Sequence, residues 1–156
     1  MMGASLIDRP ARNSLVEALR ALSSGAISND EFERRLPLGR TGDPAIREIY
    51  SKGAWMLYSD LHEYRLTGKD KLDVAAKAEV ARWVLFLKTE LPYEWPVLNA
   101  GQSLVMLLFC LLTFGWANRL FASRFRAHGD SAVWPFIRRT DYEAALHVPP
   151  YLDNAS

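Results

Sequence analysis

At 156 residues, with 49% apolar and 24% charged side chains, the chain has the makeup of one ordinary globular domain that needs no disulfide or metal staple. Its 19 basic and 18 acidic residues leave a net charge of +1, which excludes a broad cationic footprint for nucleic acid. The single cysteine, Cys110, excludes an intramolecular disulfide and fits a reducing compartment, so a cytoplasmic location is expected.

The opening stretch, MMGASLIDRPARNS, has no basic region followed by an apolar one, so no signal peptide is expected. Gly3 is not the second residue and gives no myristoylation start. A first helix is predicted from Pro10, capped by Asp8, with Leu15, Val16, Leu19 and Leu22 as its apolar stripe and Gly25 as its end. A short second helix follows. Ser28 and Glu31 have the spacing of a capping box, Phe32 and Leu36 share a face, and Pro37 stops it.

The third predicted helix starts at Gly42-Asp43-Pro44. Ile46, Ile49, Tyr50, Gly53, Met56, Leu57, Leu61 and Tyr64 recur at steps of three or four, so the helix is expected to run through Tyr64. After a loop over 66–70, a fourth helix is predicted over 73–91, with Val74, Ala78, Ala81, Val84, Leu85 and Leu87 inward. Pro92 and Pro96 bracket an irregular aromatic link, Tyr93-Glu94-Trp95. Trp134-Pro135-Phe136 reads as extended, and Thr140 to Glu143 as a second capping box opening a short last helix through Leu146.

Between these lies a charge-free run whose apolar part, LVMLLFCLLTFGW, forms a predicted fifth helix over 99–121. Residues 97–117 amount to about 31 Å of helix, the thickness of a bilayer core, with aromatic residues at both ends. Asn99, Gly101, Gln102 and Ser103 dilute the first turn, however. The flanking bases (Lys77, Arg82 and Lys88 before; Arg119, Arg124, Arg126 and Arg138 after) give no decisive asymmetry. Three neighbouring helices carry apolar stripes that a helix apolar all round would cover. The run is therefore read as a core helix. A span, or a helix lying in the plane of the membrane, is the alternative.

Residues 15–36, LVEALRALSSGAISNDEFERRL, resemble the SHOCT motif, a short two-helix module of bacterial proteins. Leu19 and Leu22, Gly25, Ile27, Ser28, Glu31-Phe32 and Leu36 carry the likeness. Glycine frees the turn, serine and glutamate cap the second helix, and isoleucine and phenylalanine pack back on the leucines. Here the module is N-terminal rather than C-terminal, its spacing from Leu22 to Gly25 is one residue short, and Arg34-Arg35 replaces a usual lysine. The resemblance implies an interaction or oligomerisation module, often carried by membrane-associated proteins, and no catalysis.

Chemistry-bearing motifs are sparse. Ser59-Asp60-Leu61-His62-Glu63 has metal-ligand residue types, but on a helix His62 points away from Asp60 and Glu63, and His128 and His147 lie far along the chain. No metal or other cofactor is expected. Thr67-Gly68-Lys69 lacks the first glycine and the preceding strand of a phosphate loop. Cys110 sits between Phe109 and Leu111, where a thiol is inert. Tryptophans 55, 83, 95, 116 and 134 spread over the later elements and either plug helix joints or face a partner.

These readings lead to an all-α, compact bundle of five to six helices in a single domain. Residues 10–37 form an N-terminal hairpin and 127–156 a C-terminal extension. The expected function is non-enzymatic protein binding, to a partner protein or to a second copy. Candidate contact residues are Phe32, Arg35, Tyr93, Trp95, Trp134 and Phe136. Arg119, Arg124 and Arg126 make a candidate patch for an anionic partner. The alternative is an accessory protein attached to the inner membrane through residues 97–117.

Overall fold

The computed structural model describes residues 7–96, Leu108 and residues 128–147. Among them are five α-helices: α1 (Arg9–Ser23), α2 (Asn29–Arg35), α3 (Pro44–Lys52), α4 (Val74–Lys88) and α5 (Arg139–His147). Short 3-10 turns cover Ala54–Leu57, Gly68–Asp70 and Ser131–Val133, and the one β-contact is an isolated bridge between Ser28 and Arg65. The fold is an all-α bundle in which α1 is the hub, packed on α4, α2 and α3, with α5 packed on α4.

Local chemistry sets most helix starts. Asp8, Ser28, Asp43 and Asp73 each accept a hydrogen bond from the second or third backbone N–H of the helix that follows. Leu15, Val16, Leu19 and Leu22 of α1 are fully buried, as their spacing predicts. Each contributes about 1.5–3 kcal/mol by leaving water.

Helices α1 and α4 run antiparallel, and two arginines lock their meeting ends. Arg9 donates to the carbonyls of Leu87 and Thr89, both at 2.6 Å. Arg12, wholly buried, donates to the carbonyls of Thr89 and Leu91 at 3.2 and 3.0 Å and lies over the Phe86 ring. Guanidinium groups thus meet the open carbonyl end of α4, where the helix dipole favours positive charge. Helix α4 stops at Lys88 rather than Leu91 because Thr89 turns extended, with its N–H and its hydroxyl both donating to the Phe86 carbonyl. Asp43 completes the joint. It takes the Arg12 guanidinium at 2.5 and 3.3 Å while capping α3 through the Ala45 N–H.

The third helix is much shorter than its periodicity predicts. It ends at Lys52, because Gly53 turns the backbone to φ −122°, ψ −76°. A Cβ there would lie 2.8 Å from both the Ile49 carbonyl and the Trp83 ring, so only glycine admits that close approach. Residues 58–67 are irregular, and Met56 and Leu61, expected on the buried stripe, are 77% and 88% exposed.

In α4, Val84, Leu85 and Leu87 are buried as expected, together with Trp83 and Phe86. Val74, Ala78 and Ala81 are exposed instead, Val74 by 85%. Ala78 and Ala81 line an open trough with Arg20 and Ser23 of α1. The last helix begins one residue before Thr140, which therefore sits in the first turn and not at the cap.

The predicted fifth helix lies outside the described residues, and with it Cys110, Trp116, Arg119, Arg124 and Arg126. Of that run only Leu108 is described; it is helical and exposed. Among the described residues, no helix is long and apolar enough to cross a membrane.

Candidate interaction surface

The N-terminal hairpin turns at Gly25, whose φ of +74° and close contact with Leu66 and Thr67 require glycine. Ile27 and Phe32 are buried in the same hydrophobic core as Leu19 and Leu22. The capping box is half made. Ser28 accepts from the Glu31 N–H at 3.2 Å, but the Glu31 carboxylate pairs with Arg35 instead of turning back. The Ser28 hydroxyl donates to Glu63.

Next to Ser28, the buried Asn29 organises a whole loop. Its side-chain amide donates to the carbonyls of Ser59 and His62, both at 3.0 Å, and its oxygen accepts from the Tyr64 N–H at 2.8 Å. Its own backbone N–H reaches the Tyr64 carbonyl at 3.0 Å. The Tyr64 hydroxyl accepts from the Ser59 N–H at 2.8 Å, and the His62 ring stacks on Tyr64. Loop 59–64 is therefore held by hydrogen bonds rather than by burying its apolar side chains, and Leu61 is left outside.

The chain between α3 and this loop closes a ring of four aromatic side chains. Phe32, Tyr50, Trp55 and Tyr58 succeed one another with centroids 5.9–6.5 Å apart, and three of the four contacts are edge-on. Phe32 is the buried base and Trp55, 41% exposed, is the outer face. The Tyr58 hydroxyl donates to Glu33 at 2.9 Å. Burial, with the Glu33 carboxylate as second cause, holds the Tyr58 hydroxyl well above the ordinary tyrosine range; burial first and Glu33 second also raise Tyr50. Both stay neutral hydrogen-bond donors at any physiological pH. Beside Tyr50 lies an open depression of about 520 Å³ with exposed Leu38 on its rim. Trp55, Met56, Leu61 and Leu38 each expose a large apolar side chain, and of the four Leu61 lies on the pinned loop.

Of the candidate contact residues named from sequence, Phe32 is the base of this ring and Arg35 lies exposed on α2, paired with Glu31. The other four meet elsewhere, in an interior joint. Trp95 donates its indole N–H to the carbonyls of Pro135 and Phe136 at 3.0 and 3.2 Å, and Trp134 donates to the Tyr93 hydroxyl at 3.1 Å. Phe136 meets Phe86 edge-on. Tyr93, Trp95 and Phe136 are buried and Trp134 is half-buried, so these aromatic loops face inward. Burial raises the Tyr93 hydroxyl far above its ordinary value. Where an outward surface was expected, Tyr93, Trp95 and Phe136 are buried in a joint in which the Trp95 indole N–H satisfies the carbonyls of Pro135 and Phe136.

Sequence reasoning missed Met56 and Leu61 as surface residues because it placed them on the buried stripe of a helix, and left Trp55 open between a helix joint and a partner surface. Gly53 was the signal available. The Asp60, His62 and Glu63 group is scattered along the pinned loop, and among the described residues no three metal-ligating side chains converge.

A second open feature lies between α1, α4 and α5. It is a trough of about 500 Å³ with an apolar floor of Val80, Val84 and Leu85 and with Tyr142 and Leu146 on one flank. Arg20, Lys77 and Arg82 stand around it. Arg82 is held by Glu79 and by the Ala132 carbonyl.

No protein-family model matches the chain, and neither a curated protein nor a solved structure matches it.

Proposed function

We propose that this protein is a non-enzymatic binding protein that engages a partner protein, or a second copy of itself, through the aromatic platform of its N-terminal hairpin. The observation that carries this reading is the exposure of Trp55 and Met56 on the short 3-10 turn that closes the aromatic ring, and of Leu61 on the loop that Asn29 and Tyr64 hold. Exposed apolar side chains on a rigid support lose little conformational freedom on docking, and tryptophan and methionine are enriched in contact patches. The hairpin's resemblance to the SHOCT module supports the same reading and suggests a bacterial type of interaction module.

The double variant Met56→Asp, Leu61→Asp tests it. Both side chains are solvent-exposed, so thermal unfolding should stay close to that of the parent. Concentration-dependent self-association in sedimentation velocity, or retention of a purified partner, should fall by tenfold or more, since a buried unpaired carboxylate at a contact costs about 2 kcal/mol or more. Unchanged association by a folded double variant contradicts the reading.

A further inference from the structure

We propose that the trough between α1, α4 and α5 receives an amphipathic helix of a partner protein, with acidic side chains along the edge that meets Arg20 and Lys77. Three observations converge on that occupant. Among the described residues the floor is apolar and the trough is open to solvent. Such a channel cannot enclose most of a small ligand's surface, whereas a helix lays only one apolar stripe into it. On α4, the exposed Ala78 and Ala81 are small enough for a second helix to approach at the usual 8–10 Å.

Charge then selects the kind of helix. Arg20 and Lys77 are exposed and make no ion pair among the described residues. The trough continues past Ser23 and Lys77 into a notch formed by Ser24, Thr67, Gly68 and Lys71. No described lining residue of either depression is a carboxylate. A helix with an apolar stripe and glutamates or aspartates beside it would neutralise this cationic edge; a basic helix would be repelled. This second surface does not depend on the aromatic platform.

A phage library of sixteen-residue helical peptides (apolar residues fixed at i, i+3, i+4 and i+7, the rest randomised), selected on the full chain, tests the proposal. Enriched peptides should carry Glu or Asp beside the apolar stripe. Their affinity should fall about tenfold with Arg20→Glu, Lys77→Glu, the scale of lost interfacial charge pairs, and also with Ala81→Arg, which blocks the floor. The same peptides should bind Met56→Asp, Leu61→Asp unchanged, which separates this site from the platform. All variants alter exposed positions, and circular dichroism melting verifies that each is folded. Peptides without acidic enrichment overturn the proposal. So do peptides indifferent to the charge reversal or to Ala81→Arg, and so does a selection that yields no binder above the level on the Ala81→Arg chain.

Discussion

Arg12 shows how much one side chain ties together in this protein. It lies in the first turn of α1, where an arginine ordinarily faces water, yet it is wholly buried and joins α1 to the start of α3 and the end of α4. Removing one partner of a buried pair strands the other charge, so Arg12→Ala or Asp43→Ala should each cost about 3–5 kcal/mol in denaturant unfolding. Arg35→Ala, which removes an exposed pair, should cost no more than about 1 kcal/mol. Equal effects at the two sites would refute the role given to Arg12. Asp8 makes a pH-dependent contribution. The Ala11 N–H, and after it Thr41, lower its carboxyl below the ordinary 3.8. A depressed folded value means that the stabilisation is present above 3.8 and is lost as pH falls through the lower folded value. Asn caps a helix about as well as Asp but carries no charge. The melting-temperature gap between the parent and Asp8→Asn should therefore be largest near neutral pH and shrink below 3.8; a gap independent of pH would contradict it.

At the scale of elements, the parts legible in the sequence are those decided locally. Asp8 with Pro10, Ser28 with Glu31, and Asp43 with Pro44 mark helix starts because a cap needs only the next three backbone N–H groups. The over-long third helix failed for the opposite reason. Its steps of three and four persist to Tyr64, but Gly53 breaks the helix against Trp83, far along the chain, and Asn29 claims the carbonyls of Ser59 and His62. Neither contact leaves a periodic trace. The candidate surface was legible only at its base, Phe32 and Arg35, and its outer residues were hidden by the same misplaced helix. Asn29→Ala would remove the side-chain partner of the part-buried carbonyls of Ser59 and His62 and of the Tyr64 N–H, at a cost of about 1–3 kcal/mol. Amide exchange should quicken at residues 59–64 and stay unchanged within α1 and α4; uniform acceleration would mean that the loop is not an Asn29-held unit.

For the whole molecule, the balance of charge and apolar content gave an ordinary helical domain, and the described residues form one around α1. Two of its polar joints are interior, Arg12 with Asp43 and Trp95 with the carbonyls of residues 135 and 136, and a third, Asn29 with loop 59–64, is part-buried. Among the described residues, large apolar side chains face outward at the aromatic platform, where Trp55 and Met56 are exposed. The most direct measurement is site-specific photo-crosslinking in cells of the full chain, with the photoreactive side chain at position 56 or 61 and at exposed Ser14 as control. The account predicts one discrete protein adduct, either a second copy or a single partner, at 56 and 61, absent at 14 and lost when Trp55→Ala is added. Adducts that are equal at all three positions, or that persist without Trp55, would contradict it.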